Sequence, residues 1–383
     1  METALGFNRT EQTLRQKLWQ IQWFFVLLIC VVACIGFAML YSAANGNLDP
    51  WATRQMFRFG VGFVAMLIVA LTDIRIWLRY AYFIYFLTLI LLIGVEFGGT
   101  IGMGAQRWID LGFINLQPSE VMKIAMILAL ARYFHGASVD DTGRFFYLMP
   151  AVFLIAIPTA LVLRQPDLGT AVMLLIAGIA LFWLAGVRLA VFTFMAIGTL
   201  LALPLAWQFL HNYQRKRILT FLNPESDPLG GGYHIIQSKI ALGSGGLFGK
   251  GFLQGSQSHL NFLPEKQTDF VFTMLAEEIG LVGGLGLILL YVILLIYGFA
   301  ISLGCRNQFG RLIGLGVTVT FFLYVFINIA MVTGLIPVVG VPLPLISYGG
   351  TAMMTVLIGF GLLLGVHVHR DIVIGRRSSG EEF

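Results

Sequence analysis

Long apolar segments recur along almost the whole chain, and they constrain its fold more than any other feature. A helix needs about 20 apolar residues to cross the roughly 30 Å core of a bilayer. About ten segments approach that length, near 22–43, 56–72, 76–96, 118–135, 146–163, 168–186, 188–210, 270–300, 311–334 and 348–368. Only 11% of the residues are charged, against roughly 25% in soluble domains. The sequence therefore predicts an all-α polytopic membrane protein with about ten transmembrane helices.

The positions of lysine and arginine in the loops predict how these helices are oriented. When the N-terminus is placed in the cytoplasm, about 13 basic residues fall in inside segments and about four in short outside loops. Residues 1–21 and 369–383 are then cytoplasmic, and residues 211–268 form a long extracytoplasmic loop between the seventh and eighth spans. We expect residues 1–383 to form a single domain in the cytoplasmic membrane. The net charge of +5 follows from this topology, so it argues against nucleic acid binding.

The cysteines and histidines do not form a recognisable chemical site. Cys30 and Cys34 lie four residues apart in an apolar run, where they act as small hydrophobic side chains, and Cys305 stands far from both. The six histidines are scattered over both predicted sides of the membrane. We therefore expect no disulfide framework and no histidine-based metal site.

Polar chemistry is concentrated in one stretch, residues 223–280. Its first half predicts a short amphipathic helix with Ile235 toward the membrane interface and Ser238 and Lys239 toward water. The glycine-rich part that follows predicts a loop, and a solvated tether is an open interpretation of it. Asp269 then stands at the start of an apolar helix, where it is either a poised base or a plain helix cap.

Ionisable side chains inside predicted spans are costly in lipid and need a partner or a function. Glu120 and Lys123 share one face of the fourth span, where they form either a packing ion pair or a site that faces an outward cavity. Asp167 is suited to cap the sixth span. Of Glu277 and Glu278, at least one must face protein or water, because an unpaired carboxylate in lipid is too costly.

These charges lie in the predicted outer half of the protein, and the inner half holds almost none. A transporter needs polar groups along a path across the bilayer, with its site near the midplane. An enzyme that acts on a lipid-linked substrate needs them on one side only. The asymmetry therefore favours an enzyme.

Four stretches resemble one protein family. They are GAQRWIDLGFINLQPSEVMKIA (104–125), RQPDLGTA (164–171), the long segment 223–284 with its FLPEKQTDF motif, and TGLIPVVGVPLPLISYGGTAMM (333–354). Together they resemble the SEDS family of bacterial cell-wall proteins, over nearly all predicted spans and the long loop. LAEE after the TDF motif and HVHR at the end of the last span resemble the members that act in cell elongation and shape maintenance.

The resemblance implies a fold and a reaction. The family folds as ten transmembrane helices and polymerises lipid II, the undecaprenyl-diphosphate-linked disaccharide-pentapeptide, into β-1,4 glycan strands outside the cytoplasmic membrane. It works with a class B penicillin-binding protein and other membrane proteins of the elongation complex. Its essential aspartate matches Asp269. Its cavity residues match Arg54, Glu120, Lys123, Asp167 and Ser347.

Together with the site residues, the resemblance predicts that undecaprenyl diphosphate is displaced with inversion at the donor sugar. Asp269 acts as the general base that activates the acceptor hydroxyl. The cations Lys123, Arg54 and Arg107 offset the charge of the departing diphosphate, and Glu120 holds Lys123 in place. A divalent cation, Mg or Mn, would share that charge, although no complete protein cage for it is evident. A lipid II flippase and a scaffold for the penicillin-binding protein are the alternatives.

Overall fold

The structure, a computed structural model, describes residues 13–102, 105–110, 112, 115–138, 141–209, 212–226, 231–260, 262, 265–372 and 374–375. Its α-helices are α1 (Leu14–Gln20), α2 (Trp23–Ala43), α3 (Ala52–Leu71), α4 (Ile74–Gly98), α5 (Pro118–His135), α6 (Phe145–Arg164), α7 (Leu168–Leu184), α8 (Leu189–Phe209), α9 (Asn212–Leu222), α10 (Gly231–Ser244), α11 (Ser256–His259), α12 (Val271–Leu303), α13 (Gln308–Val332) and α14 (Gly350–Val368). Its strands are β1 (Thr100–Gly102), β2 (Ala105–Asp110) and β3 (Asn115–Leu116).

Seven of the described helices are long and apolar enough to cross a membrane, namely α2, α3, α4, α6, α12, α13 and α14. Large apolar side chains face outward along several of them, as Phe57 (74% exposed) does on α3 and Ile90 (65%) on α4. Soluble proteins rarely expose so much contiguous apolar surface. The chain is therefore an all-α polytopic membrane protein, as predicted.

Three predicted spans do not meet the same standard of length and composition. The span at 118–135 is α5, which carries three charged side chains, Glu120, Lys123 and Arg132, within 18 residues. The sixth predicted span is α7, with only 17 residues, and in the seventh, α8, the apolar stretch within the described side chains is Leu189–Ala202. The number of ten spans thus stays a prediction.

A small antiparallel sheet connects α4 to α5, which the sequence did not predict. Its strand order is β1-β2-β3, with Ile109 opposite Leu116. Pro118 then begins α5, in the first turn of a helix, where the missing N–H of proline is no loss. The sheet thereby brings Arg107 and Gln117 to the same end of the helical bundle as the start of α7.

The helices α13 and α14 lie at the centre of the bundle, and most of their residues are buried. Around α13 pack α5, α7, α12 and α14, and α14 runs along α3. Glycines permit this close approach, as small residues do between membrane helices. A Cβ on Gly361 would lie 2.6 Å from the main-chain oxygen of Met66.

The long helix α12 is broken at Gly280, whose φ of 79° and ψ of −169° leave the helical region. A positive φ suits glycine because it has no Cβ. The break separates a short helix, residues 271–279, from a longer one, residues 281–303. At 1.5 Å per residue the longer part spans about 35 Å, enough to cross a bilayer by itself.

The loop predicted at 211–268 contains α9, α10 and α11, and its amphipathic helix is confirmed as α10. The predicted orientation is wrong for Ile235, which is buried within the protein instead of facing the membrane interface (4% exposed), and for Ser238. Ser238 is fully buried, because α10 packs against α12 and α13. Its hydroxyl oxygen lies 2.9 Å from Thr273 Oγ1 and donates to the main-chain oxygen of Val332 at 2.7 Å. Parts of the predicted cytoplasmic ends, residues 1–12 and 376–383, lie outside the described residues.

Candidate active site

Asp269 lies in a turn, residues 265–270, directly before α12. The helix begins at Val271, and Phe270 is its N-cap residue, without a side-chain cap bond. The interpretation of Asp269 as a plain helix cap is therefore wrong. Its side chain is partly exposed, and its Oδ2 would lie 3.5 Å from a Cβ on Gly340. The carboxylate thus faces the loop that joins α13 to α14.

Ser347 connects that loop to the Asp269 turn. Its hydroxyl donates to the main-chain oxygen of Thr268 at 2.5 Å and accepts from Leu343 N at 2.8 Å. The next residue adds a main-chain bond from Tyr348 N to Gln267 O at 2.8 Å. Ser347 was predicted to bind substrate, but here it is buried (4% exposed) and holds the turn.

The first turn of α3 packs against the other side of the same loop. Gln55, fully buried, donates from Nε2 to the main-chain oxygen of Ser347 at 2.8 Å. The Arg58 guanidinium lies 4.9 Å from the centre of the Tyr348 ring. Arg54, directly before Gln55 in the same turn, is exposed. This arrangement places an exposed cation near the loop that the Asp269 carboxylate faces.

Glu120 and Lys123 form a closed, buried cluster with Tyr324 of α13. Lys123 Nζ donates to Glu120 Oε1 at 2.6 Å and to Tyr324 OH at 2.5 Å. The Tyr324 hydroxyl donates in turn to Glu120 Oε2. Both charged side chains are at most 3% exposed. The geometry agrees with the packing ion pair, and both groups are closed off from the surface.

Asp167 is the N-cap of α7 and the centre of a second polar cluster. Its Oδ1 accepts from Thr170 N at 3.2 Å and its Oδ2 from Thr170 Oγ1 at 3.0 Å. Gln117 Nε2, before α5, donates to Oδ2 at 3.2 Å. Arg107 NH1 lies 4.0 Å from the same oxygen, and its side chain is 27% exposed. Arg107 is thus the most accessible member of this cluster.

Arg107 is further oriented by two main-chain oxygens. Its Nε donates to Gln165 O at 3.1 Å and its NH2 to Pro166 O at 2.5 Å. The RQPD turn therefore fixes the guanidinium in one direction. A fixed guanidinium is well suited to bind a diphosphate oxygen.

Glu277 and Glu278, on the part of α12 before the break, are both buried and both satisfied. Glu277 Oε1 accepts from Lys250 Nζ at 2.8 Å and from Gln257 N at 2.9 Å. Glu278 Oε1 accepts from Ser42 Oγ at 2.5 Å and lies 3.2 Å from His259 Nε2. The expectation that at least one faces protein is confirmed.

The glycine-rich loop fits into the break of α12. Its main chain bonds to both sides of Gly280, with Lys250 N donating to Glu277 O at 3.0 Å and Leu281 N to Gly246 O at 2.9 Å. A Cβ on Gly249 would lie only 2.1 Å from the Glu278 main-chain oxygen. The glycines are therefore needed for close contact, and the interpretation of this loop as a solvated tether is wrong.

Two basic side chains border the Asp269 turn. The His234 ring of α10 stacks on Phe270, with ring centres 6.1 Å apart. Burial lowers the pKa of His234, and Glu265 partly opposes this shift. Burial also lowers the pKa of Lys266, which Glu278 opposes in part. The turn thus lies in a surrounding that disfavours extra positive charge.

Three buried residues at this site escaped the sequence analysis, namely Gln55, Tyr324 and Asn328. Tyr324 and Asn328 lie four residues apart in an apolar helix, and polar side chains with that spacing share one face. Asn328 donates to the main-chain oxygens of Asp269 and Val341. This spacing of two polar residues inside an apolar helix is the sequence signal that indicates Tyr324 and Asn328.

Within the part of the chain that the structure describes, no group of three or more His, Cys, Asp or Glu side chains is arranged to hold a metal ion. Most carboxylates of the site already accept bonds from lysine, amide or hydroxyl donors, as above. These residues do not form a cage for a divalent cation.

Comparison with known proteins shows that the chain is similar to one protein family. A model described as "Cell cycle protein" for FtsW, RodA and SpoVE matches residues 16–372. The peptidoglycan glycosyltransferase MrdB of Escherichia coli (strain K12) is 43% identical over 353 residues, which cover 91% of this chain and 94% of MrdB. Stage V sporulation protein E of Bacillus subtilis (strain 168) is 36% identical, covering 89% of this chain and 95% of that protein.

Solved structures show the same similarity in three dimensions. The rod shape determining protein RodA of Thermus thermophilus gives a TM-score of 0.70 at 29% identity and covers 92% of this chain and 98% of RodA. A chain from a peptidoglycan synthase complex, which coordinates polymerization and crosslinking, gives a TM-score of 0.79 at 34% identity. The match covers 92% of this chain and 98% of that chain.

Proposed function

The chain belongs to the FtsW/RodA/SpoVE family, and we propose that it is a peptidoglycan glycosyltransferase that polymerises lipid II with Asp269 as general base. One observation carries the assignment of the base. Glu120, Asp167, Glu277 and Glu278 are at most 5% exposed, and the partly exposed Glu265 accepts from Thr268 Oγ1 at 3.1 Å within its own turn, whereas Asp269 is partly exposed and faces the loop at Gly340. A base must reach the proton that it removes.

The chemistry is one inverting displacement. The 4-hydroxyl of the acceptor sugar attacks the anomeric carbon of the donor, the bond to undecaprenyl diphosphate breaks, and an α-linked donor becomes a β-1,4 glycosidic bond. The Asp269 carboxylate takes the hydroxyl proton as the new bond forms, and the electron pair of the broken bond leaves with the diphosphate. General-base help of this kind contributes roughly 10²–10⁴ in rate.

Arg54 and Arg107 are the cations that we assign to the departing diphosphate. Both are at least partly accessible, and Arg107 is held in direction by the RQPD turn. Positive groups fixed where negative charge develops lower the barrier without reorganising. A substrate-binding role of Glu120, Lys123, Asp167 and Ser347 stays a prediction, since all four are buried and bonded to protein groups. No step is assigned to a divalent cation.

The proposed topology has ten spans, with α5, α7 and α8 added to the seven long apolar helices. Both termini lie in the cytoplasm, and the long loop between the seventh and eighth spans lies outside the cytoplasmic membrane with the Asp269 turn. The length of residues 281–303 supports this arrangement, because that part alone spans the bilayer and leaves residues 271–279 beside the outer surface.

The proposed partners are lipid II and a class B penicillin-binding protein that cross-links the new strands. Support comes from the similarity to a chain of a peptidoglycan synthase complex that couples the two reactions. The similarity to MrdB and RodA supports a role in cell elongation and shape.

The test is polymer formation from lipid II by the purified protein in complex with a class B penicillin-binding protein, in detergent. Moenomycin is added to silence contaminating classical transglycosylases. We expect long glycan from the wild type and none from Asp269→Asn. Lipid II transfer across vesicles without any glycan would instead indicate a flippase, and normal glycan from Asp269→Asn would refute the assignment of the base.

A further inference from the structure

Asn328 is a fully buried polar side chain in the middle of an apolar helix. Its Nδ2 donates to the main-chain oxygen of Asp269 at 3.0 Å and to that of Val341 at 2.7 Å. Both neighbours are carbonyl oxygens, which only accept hydrogen bonds. The amide must therefore turn its NH₂ group toward them.

This orientation directs the amide oxygen of Asn328 away from both hydrogen bonds. Asn328 Oδ1 has no hydrogen-bond partner among the described residues. A buried polar atom without a partner is unfavourable, and such an atom in a native protein calls for an explanation. A leucine would avoid that penalty but would leave the main-chain oxygens of Asp269 and Val341 without this donor, so the asparagine serves those two oxygens.

The two carbonyls that Asn328 joins belong to the base and to its surroundings. The first bond of the α12 ladder runs from Met274 N to Phe270 O, so the oxygen of Asp269 lies outside the helix. Val341 follows Gly340, the residue that the Asp269 carboxylate faces. One side-chain amide thus connects the main chain of the base to the main chain beside its carboxylate.

We propose that Asn328 is a positioning residue that holds the Asp269 carboxylate at its working distance from the acceptor hydroxyl, an inference that rests on the proposed function. The bond to Asp269 O fixes the base, and the bond to Val341 O fixes the loop that the base faces. Misplacement of a reacting group by about 1 Å can reduce a rate roughly 10²-fold. Asn328 therefore acts on turnover rather than on the binding of lipid II.

The same face of α13 reaches the buried ion pair. Tyr324 lies one turn from Asn328, about 6 Å along the helix axis, and bonds to Glu120 and Lys123. α13 therefore joins both predicted polar sites through two neighbouring side chains. The position of Asp269 relative to α5 is set by this helix.

The experiment measures kcat and KM for lipid II with the wild-type complex, Asn328→Ser and Asn328→Leu. The second variant is nearly isosteric and replaces the first if Asn328→Ser does not fold. The matched control is Tyr85→Phe, which removes another bond from a buried side chain to a main-chain oxygen, 3.0 Å long, between α4 and α6. We expect kcat to fall about 10- to 100-fold in the Asn328 variants, with KM and the control nearly unchanged.

A double-mutant cycle with Asp269→Glu separates positioning from general damage. Glutamate displaces the carboxylate by one methylene, so the contribution of Asn328 is already lost. We expect Asn328→Ser to lower kcat less than about threefold in that background, because coupled residues are not additive. Fully additive losses, or a rise in KM with unchanged kcat, would overturn the positioning role.

The two proposals fail in different ways. Normal polymer from Asp269→Asn would refute the base and the positioning role together. An inactive Asp269→Asn beside Asn328 variants with wild-type kcat would refute only the positioning role.

Discussion

Asp269 and Glu277 lie about two helical turns apart on one segment, yet the protein holds them in opposite ways. At Glu277 the carboxylate itself is bound, by Lys250 Nζ, Ser256 Oγ and Gln257 N. At Asp269 the structure binds the main chain, through Asn328, and the neighbouring Thr268 through Ser347. The side chain of Asp269 is partly exposed, and that of Glu277 is fully buried.

The difference shows how one segment carries both architecture and chemistry. A carboxylate saturated by donors stabilises the contact that it makes and has little freedom to exchange a proton. A carboxylate whose turn is held through the main chain keeps its position while its side chain stays partly exposed. The glycine-rich loop is the architectural part, because it binds Glu277 and both sides of the helix break.

The largest expected effect is on catalysis, in the variant that changes the Asp269 carboxylate. Asp269→Asn removes the base but keeps the size of the side chain, so we expect the polymerisation rate to fall roughly 10²–10⁴-fold. The thermal unfolding temperature should stay near that of the wild type. Initial rates of lipid II consumption measure the first, and a melting curve in detergent measures the second. A melting temperature that falls with the activity would mean that Asp269 is structural.

The next expected effect is on stability, in the variant that removes the Glu277 carboxylate. Glu277→Ala removes the acceptor shared by Lys250 Nζ, Ser256 Oγ and Gln257 N, and leaving a buried polar group without its partner typically costs about 1–3 kcal/mol. We expect a lower melting temperature and faster proteolysis in the loop at 245–260. The exposed Glu225 provides the matched control, because Glu225→Ala removes a carboxylate without a buried partner. Unchanged stability in Glu277→Ala would contradict the architectural role.

A third prediction extends the comparison to the ion pair on α5. Lys123→Met leaves Glu120 charged and buried, so we expect a loss of about 3–5 kcal/mol. The double variant Glu120→Met/Lys123→Met should regain most of that stability, since apolar residues can replace a buried pair. Melting curves of the single and double variants test this. A folded double variant that makes no polymer would show that the pair also serves the substrate.

The smallest expected effect concerns an exposed cation. Arg54→Gln removes a charge at the surface, and we expect the KM for lipid II to rise roughly two- to fivefold with stability unchanged. The rise should shrink at high salt, because salt screens exposed charges. Lys216→Gln, which removes an exposed charge on α9, is the matched control. Equal responses of the two variants would show that Arg54 has no special relation to the substrate.

Much of the fold could be predicted because it depends on local pattern. Apolar runs of bilayer length marked the helices, and the boundaries of α5 were predicted to the residue. The break at Gly280 was not predicted, since four glycines lie between residues 280 and 286 and the local sequence does not show which of them leaves the helical conformation. Its cause is tertiary, because the loop main chain bonds to residues 277–282.

The site was predicted in its residue types more than in its contacts. Asp269 stood out as a carboxylate at the start of an apolar helix. Lys123 is bound by Tyr324, which lies 201 positions away in the sequence. Ser347 is buried because it contacts Thr268 and Gln55. Spacing along one helix shows which residues share a face but not what packs against that face.

The most direct measurement compares the same amide substitution at the two carboxylates. Asp269→Asn and Glu277→Gln are purified with the same class B penicillin-binding protein and assayed for glycan formation and thermal unfolding side by side. The account predicts no glycan and a wild-type melting temperature for Asp269→Asn, with a lowered melting temperature and active folded protein for Glu277→Gln. Normal glycan from Asp269→Asn would contradict the central claim that Asp269 is the catalytic base.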